Sequence, residues 1–352
     1  EDDYPQGSPV GKRKLVEVRV DTWDGFIFYT MNEDAPDLME YLDPLPEIYK
    51  NHNFKDQIRA QWVRVELDVN WKFFCDNFNE SYHTRFVHPQ VPSVIDQDHF
   101  TSRYEMFPKG HARIIQMGRP SIRDRVPEGE DHPFKMILED WGIDSSKYSD
   151  YENLSEQGWL DLKEAKRKNY KEKGYFHYEN LSDEELTESP FQFIFPNIAM
   201  GVQADGCILL NWFPHPTDPE KCFFDLWDMG YPIGGSAKGI GKTGRDNDQK
   251  FTSTSAGIGK KDEANDQEFL SRTKVNPVKL QEVELDFRDY DGGKGVEDLW
   301  DHGVYQDWQL TDGLRRGVRS KGYQEPYLAA QETRVRYFHE TLHDYLSGKE
   351  PK

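Results

Sequence analysis

Cysteine is nearly absent from this chain. Only Cys75, Cys207 and Cys222 occur in 352 residues, an odd number at wide spacing, so no disulfide framework is implied. Neither a Cys-x-x-Cys nor a Cys-x-His pair is present. Long apolar runs are missing too. No stretch of about 18 apolar residues exists, so no transmembrane helix is expected. The opening Glu1-Asp2-Asp3-Tyr4-Pro5 is acidic and polar and does not read as a signal peptide. A soluble, cytoplasmic protein is the expectation. Positive charge is in deficit, with 44 Lys and Arg against 64 Asp and Glu and a net charge of −20. Such a surface repels phosphate backbones and anionic lipid, so neither nucleic acid nor membrane is an expected partner. Proteins with basic patches, such as redox donors, remain compatible with it.

Apolar residues make up 36% and aromatics 14%, enough for a sizeable core or an aromatic-lined pocket. The length fits one large domain or two ordinary ones. Strand patterns occur at Leu15, Val16, Val18 and Val20 and at Gly25–Tyr29, and Asp34–Leu38 reads as a turn into a short helix. From 62 to 69, Val63, Val65, Leu67 and Val69 alternate with Arg64, Glu66 and Asp68, the pattern of a half-buried strand. A helix capped by Asp68 or Asn70 is then predicted from Trp71 to about Val87, with Pro89 as its stop. Further strands are expected at 100–118 and 191–229, and helices around 158–172 and 182–187. Residues 234–268 are rich in Gly, Ser, Lys, Asp and Asn and read as a flexible insertion. Val335, Phe338, Leu342, Tyr345 and Leu346 recur at helical spacing and predict an amphipathic last helix over about 331–347.

The densest chemistry lies in Asp76-Asn77-Phe78-Asn79-Glu80-Ser81-Tyr82-His83-Thr84-Arg85-Phe86-Val87-His88-Pro89. Two nearby histidines with one distant carboxylate form the ligand set of a non-haem Fe(II) site, which leaves coordination positions open for O₂. In a continuous helix, His83 and His88, five residues apart, do not share a face, so the helix has to end or unwind near His88 for both to reach one metal. The opposing reading is two unrelated histidines. Glu80 precedes His83 by three residues, on the same helical face, and can accept a ring N–H and fix its tautomer. Its bland alternative is an exposed helix glutamate. Asn77 is a further candidate beside the metal or a plain backbone partner, and Tyr82 is either a residue supporting the ligands or core.

These residues resemble the catalytic α subunit of Rieske non-haem iron ring-hydroxylating oxygenases. Asn77, Glu80, Tyr82, His83 and His88 carry the resemblance, together with Phe195-Pro196-Asn197 and Asn211-Trp212-Phe213-Pro214. Gln306-Asp307-Trp308-Gln309-Leu310-Thr311-Asp312-Gly313-Leu314-Arg315-Arg316 looks like the segment holding the third ligand, and the resemblance puts that ligand at Asp307. Asp312 and Asp301 are its rivals. The implied fold is α+β, a helix-grip antiparallel sheet around a long C-terminal helix. Residues 51–352 would form this catalytic domain, and residues 1–50 a remnant of a Rieske-type β domain with its linker. The implied reaction is O₂-dependent mono- or dioxygenation of an aromatic or other organic substrate at mononuclear Fe(II). Electrons would come from NAD(P)H through a ferredoxin or flavin reductase and a [2Fe-2S] Rieske cluster, in a homotrimer. By the same resemblance, Glu80 bridges the iron-ligand histidine to a cluster histidine of a neighbouring subunit. Phe195, Asn197, Trp212 and Trp227 are candidate substrate-binding residues, although aromatics on strands are more often core.

Two departures stand out. The family's cluster ligands, Cys-x-His and Cys-x-x-His, are absent, so the chain reads as a fragment without the cluster or as a subunit that borrows electrons. The His88-to-Asp307 separation is also longer than usual, and the 234–268 insertion accounts for much of it. Gly234-Gly235-Ser236-Ala237-Lys238-Gly239-Ile240-Gly241-Lys242-Thr243 is not a phosphate loop, because Ser236 stands where the first glycine is needed. Lys238, Lys242 and Lys250 are candidate contacts to a partner. His215, His302, His339 and His343 have no apparent ligand partners and read as surface residues. Two other classes remain open: a helix-grip carrier of lipids or small molecules, and a zinc hydrolase with the same ligands.

Overall fold

The computed structural model describes residues 10–89, 91–123, 132–233 and 302–349, with Pro5, Gly7, Ser8 and two short strands at 250–251 and 283–284. Most of the expected 234–268 insertion, including Lys238 and Lys242, lies outside the described residues, as does Asp301. The side chains of Lys250 and His302 do too.

A small hairpin comes first, β1 (Arg19–Trp23) and β2 (Phe26–Thr30), followed by α1 (Leu38–Leu42) and α2 (Leu45–Ile48). Leu15, Val16 and Val18 stay exposed and outside the strand. The ladder begins at Arg19↔Thr30, so residues before Arg19 have no partner opposite them.

The large sheet contains β3 (Ile58–Leu67), β4 (Arg103–Met106), β5 (Ala112–Met117), β6 (Glu188–Ile194), β7 (Ile198–Gln203), β8 (Gly206–Pro214) and β9 (Cys222–Gly230). They lie in the spatial order β3-β9-β8-β7-β6-β5-β4, antiparallel throughout, and Val283–Glu284 adds a short parallel strand beside β3. β8 starts at a very close approach to β9. A Cβ on Gly206 would stand 2.1 Å from the Met229 carbonyl oxygen, which only glycine avoids.

Both faces of the sheet are covered over β7 to β9, and the period of two sorts the side chains between them. Val65, Leu67, Ala199, Leu210, Trp212, Phe224 and Leu226 face one layer, formed by α3 (Trp71–Phe78) and the C-terminal helix (Thr333–Leu346). Met200, Val202, Cys207 and Leu209 face the other, where Trp23, Leu42, Leu45, Tyr49 and Phe54 close the core. The N-terminal residues thus share a core with the sheet. On the C-terminal helix, Phe338 packs against Phe193, Phe195 and Trp71.

The last helix falls where the apolar spacing put it, but among the described residues the longest helix is Tyr151–Lys173. Asp150 caps that helix by accepting the Asn153 N–H at 2.8 Å, and Gly174 ends it at φ +81°. The predicted helix at 182–187 is instead a turn. Ser182 and Glu185 satisfy one another's backbone N–H groups, and β6 begins immediately afterwards. Among the described residues, no helix is long and apolar enough to cross a membrane.

Candidate metal centre

Helix α3 anchors the site to the sheet. Asn70 caps it, accepting from the Lys72 N–H at 3.1 Å. Phe74 stacks on both Trp212 and Phe224, with ring centroids 6.1 Å apart in each case. The helix does not continue to Val87 as the sequence suggested. It ends at Phe78, and a separate short helix, α4, spans Thr84–Val87. The cause is local hydrogen bonding. Buried Asn79 turns its amide back to the Cys75 carbonyl at 2.9 Å, which closes α3. The Glu80 carboxylate then accepts the backbone N–H groups of Tyr82 and His83, and so takes the place of a cap at the next turn.

This break brings the two histidines together. His83 Nε2 lies 3.2 Å from His88 Nε2. Asp307, on the helix His302–Gly317, places Oδ1 3.1 Å from His88 Nε2 and 3.5 Å from His83 Nε2. The far side of each imidazole is already engaged. Glu80 Oε1 hydrogen-bonds to His83 Nδ1, and Gln306 Oε1 stands 2.8 Å from His88 Nδ1. A carboxylate accepts only, so His83 carries its proton on Nδ1. The amide oxygen of Gln306 imposes the same tautomer on His88. Both Nε2 atoms then present bare lone pairs to each other and to a carboxylate oxygen. Asp307 Oδ1 is buried and has no hydrogen-bond partner.

Three electron-rich atoms facing one point repel one another unless a cation lies between them. Divalent metals hold nitrogen and oxygen donors at about 2.1 Å, and at right angles such donors stand about 3 Å apart. The observed edges of 3.1, 3.2 and 3.5 Å suit that spacing. Two imidazoles with one carboxylate match the facial ligand set of non-haem Fe(II). The residues therefore fit a mononuclear metal.

The remaining candidates are distributed unevenly. Asn77 and Glu80 line a cavity of about 550 Å³ that also reaches His83 and Asp307. Its apolar wall includes Phe73, Leu310, Leu314 and Val335. Phe195, Asn197, Trp212 and Trp227 do not line it. Phe195 is buried against Phe338 and Tyr345, Asn197 donates to the Trp212 carbonyl at 2.8 Å, and Trp212 is sealed under α3. Trp227 packs on the opposite face of the sheet, with Arg59 over its ring. Strand alternation separates Trp212 from Trp227, and with both faces covered, aromatic character alone does not tell pocket from core. Tyr82 is neither buried nor against the ligands. It is exposed, edge-on to Phe86, and borders a separate cavity of about 370 Å³. Asp312 turns outward to Arg315 and Arg316.

Two contacts escaped the sequence reading. Gln306 had no signal beyond its place next to Asp307. His339, read as a plain surface residue, lines the cavity and bonds to Asp76 Oδ1 at 2.7 Å. Its partner lies on α3 rather than on its own helix, so no spacing rule reveals it. The hydrogen bond to Asp76 raises the His339 pKa. His215 accepts the Asp218 N–H at 3.0 Å in a surface turn, and His343 contacts Ser347.

Residues 54–230 and 284–348 match the family described as the ring-hydroxylating alpha subunit, catalytic domain. The oxygenase subunit of carnitine monooxygenase from Acinetobacter pittii (strain PHEA-2) is 28% identical over 133 residues, covering 35% of each chain. The alpha subunit of 2-aminobenzenesulfonate 2,3-dioxygenase from an Alcaligenes species is 25% identical over 103 residues, 28% of this chain and 26% of that one. The chain thus aligns with about a third or less of these relatives' length. A solved quaternary ammonium Rieske monooxygenase is 14% identical, with a TM-score of 0.49 over 93% of this chain and 62% of that chain.

Proposed function

From the premise that this chain belongs to the ring-hydroxylating alpha-subunit family, in its catalytic domain, we propose that it hydroxylates a small organic substrate with O₂ at a mononuclear Fe(II). One observation carries the proposal: three donor atoms converge while the outer nitrogens of both imidazoles are already held. Iron bound there would supply the activation of O₂ that no protein side chain provides.

The chain's own residues do the positioning. His83 and His88 offer Nε2, and Asp307 offers a carboxylate that offsets half of a dication's charge. Glu80 fixes the His83 tautomer and Gln306 that of His88, which raises ligand basicity and holds the rings in place. The 550 Å³ cavity opens on His83 and Asp307 and receives the substrate against Phe73, Leu310, Leu314 and Val335. The finer architectural reading, a helix-grip domain, rests on the C-terminal helix packing on the α3 side of the sheet.

The residues do not fit a [2Fe-2S] cluster. Cys75, Cys207 and Cys222 are all buried, and none has a histidine at cluster spacing. Electrons are therefore taken to come from NAD(P)H through a ferredoxin or flavin reductase and a Rieske cluster held on residues other than these 352. In the same reading the chain works as a homotrimer, with Glu80 linking His83 to a neighbour's cluster. Anaerobic purification followed by metal analysis is the test. One tightly bound iron per chain, with peroxide-driven hydroxylation, is the expected result. Zinc in its place would favour a hydrolase, and absence of any metal a carrier.

A further inference from the structure

We infer that the cavity beside the candidate metal centre selects a positively charged substrate, an amine or ammonium compound. The inference rests on the proposed function and names the substrate class for the same site.

The cavity is lined mainly by negative charge. Four carboxylates line the cavity, those of Asp76, Glu80, Asp307 and Glu332, and among the described residues no lysine or arginine does. Apart from the ligand candidate His83, the basic group in the described lining is His339, which is bound to Asp76. A divalent metal on Asp307 offsets two of the four negative charges, and a protonated His339 offsets a third. The least favourable count still leaves one negative charge in excess. In a concave site with low-dielectric walls, that excess is focused on whatever enters. An anionic substrate meets no counter-charge except the metal and a His339 already bound to Asp76.

The neutral lining agrees. Phe73 and Tyr323 present aromatic rings, while Leu310, Leu314 and Val335 supply apolar area. Aromatic rings attract cations through the negative charge of their faces, and quaternary ammonium groups are recognised in this way. A methylated ammonium is apolar on its surface and charged at its centre. It satisfies both the apolar wall and the carboxylates without having to donate a hydrogen bond to each of them. An uncharged ligand of the same shape gains only the apolar contact.

Choline and its uncharged isostere 3,3-dimethylbutan-1-ol separate these terms, because they share shape and differ in charge. Binding of each is measured by titration calorimetry on the full chain, before and after anaerobic loading with Fe(II). Choline is expected to bind roughly tenfold more tightly, an advantage that shrinks with added salt. Asp76→Asn with Glu332→Gln removes two charges and keeps the hydrogen-bonding shape. That double variant should reduce the preference for choline and leave affinity for the alcohol unchanged. Equal binding of the two compounds, tighter binding of the alcohol, or no choline binding up to millimolar concentration would overturn the inference. Iron content is measured on the same samples. Iron bound without a cation preference sinks the inference and spares the proposed function, whereas absence of iron sinks the function itself.

Discussion

Replacing Gln306 by alanine tests whether the candidate centre is built as a supported metal site or is an accident of proximity. Gln306 Oε1 lies 2.8 Å from His88 Nδ1, and His88 is only 7% exposed. Removing the amide strips a buried imidazole N–H of this acceptor, which costs about 1–3 kcal/mol. In the metal-bound state the ring also loses the partner that fixes its tautomer. Losses of this kind lower metal affinity by roughly 10- to 100-fold, or about 1.4–2.7 kcal/mol. The assay is competition for Fe(II) against a chelator of known affinity, performed anaerobically. Apoprotein stability is followed alongside by urea unfolding. Gln306→Glu restores an acceptor on a side chain of equal length and should recover most of the affinity. An unchanged iron dissociation constant in Gln306→Ala would refute the reasoning, since it would mean that His88 does not bind metal through Nε2 with its Nδ1–H held here.

Four further outcomes are expected. His83→Ala, His88→Ala and Asp307→Ala should each lose iron by metal analysis while retaining the far-ultraviolet circular dichroism of the parent, and stoichiometric iron in Asp307→Ala would redirect attention to Asp312. Glu80→Gln, assayed in an assembled oxygenase with its cluster, should keep iron and peroxide-driven turnover but lose reductase-driven turnover; equal loss in both would make Glu80 a support of the iron site alone. Phe74→Ala, which removes the ring packed against both Trp212 and Phe224, should cost about 3–5 kcal/mol in urea unfolding, and a cost below about 1 would show that α3 is not anchored there. Burial lowers His52, His111 and His177 from 6.5 to about 4, so the unfolded chain binds more protons between these values and stability falls as pH drops through that window; each contributes up to roughly 3 kcal/mol, and a urea midpoint unchanged from pH 7 to pH 5 would contradict the assignment.

His111 shows why the acid window is structural rather than catalytic. Its Nε2–H donates to the Tyr41 carbonyl at 2.7 Å, and its Nδ1 accepts the Phe195 N–H at 3.1 Å. A second proton on Nδ1 would meet a donor instead of an acceptor. The neutral ring is thus built into the junction between α1 and β6. Nothing in the sequence around His111 marks this role, since both of its partners are backbone groups from distant segments.

The parts of the fold legible in the sequence were those with a single covered or uncovered side. Arg64, Glu66 and Asp68 alternate with Val65, Leu67 and Val69, and the structure puts the apolar set inside. Alternation gave no such guidance over β7 to β9, where both faces are buried and Trp212 and Trp227 pack in different cores. The family resemblance of the His segment pointed to the ligand candidates, but periodicity misjudged their geometry. A continuous helix over 71–87 was the natural reading of Trp71, Phe74, Cys75 and Phe78, because those positions do form a helical face.

What periodicity does not register is competition from side chains for the backbone. Asn79 and Glu80 look like ordinary helix-surface residues in a pattern count. In the structure they take over main-chain groups that a continuing helix would use, Asn79 at the Cys75 carbonyl and Glu80 at the N–H groups of Tyr82 and His83. The same Glu80 carboxylate then reaches His83 Nδ1 with its other oxygen. One side chain thereby terminates the regular helix, starts the next turn and sets the tautomer of a ligand candidate. This explains how a spacing of five residues, which a straight helix would send to different faces, yields two Nε2 atoms 3.2 Å apart. It also predicts which substitutions the segment accepts. A residue at position 80 needs two acceptor oxygens on a stem long enough to span both the turn and the ring, a requirement that glutamate meets and glutamine meets only in part.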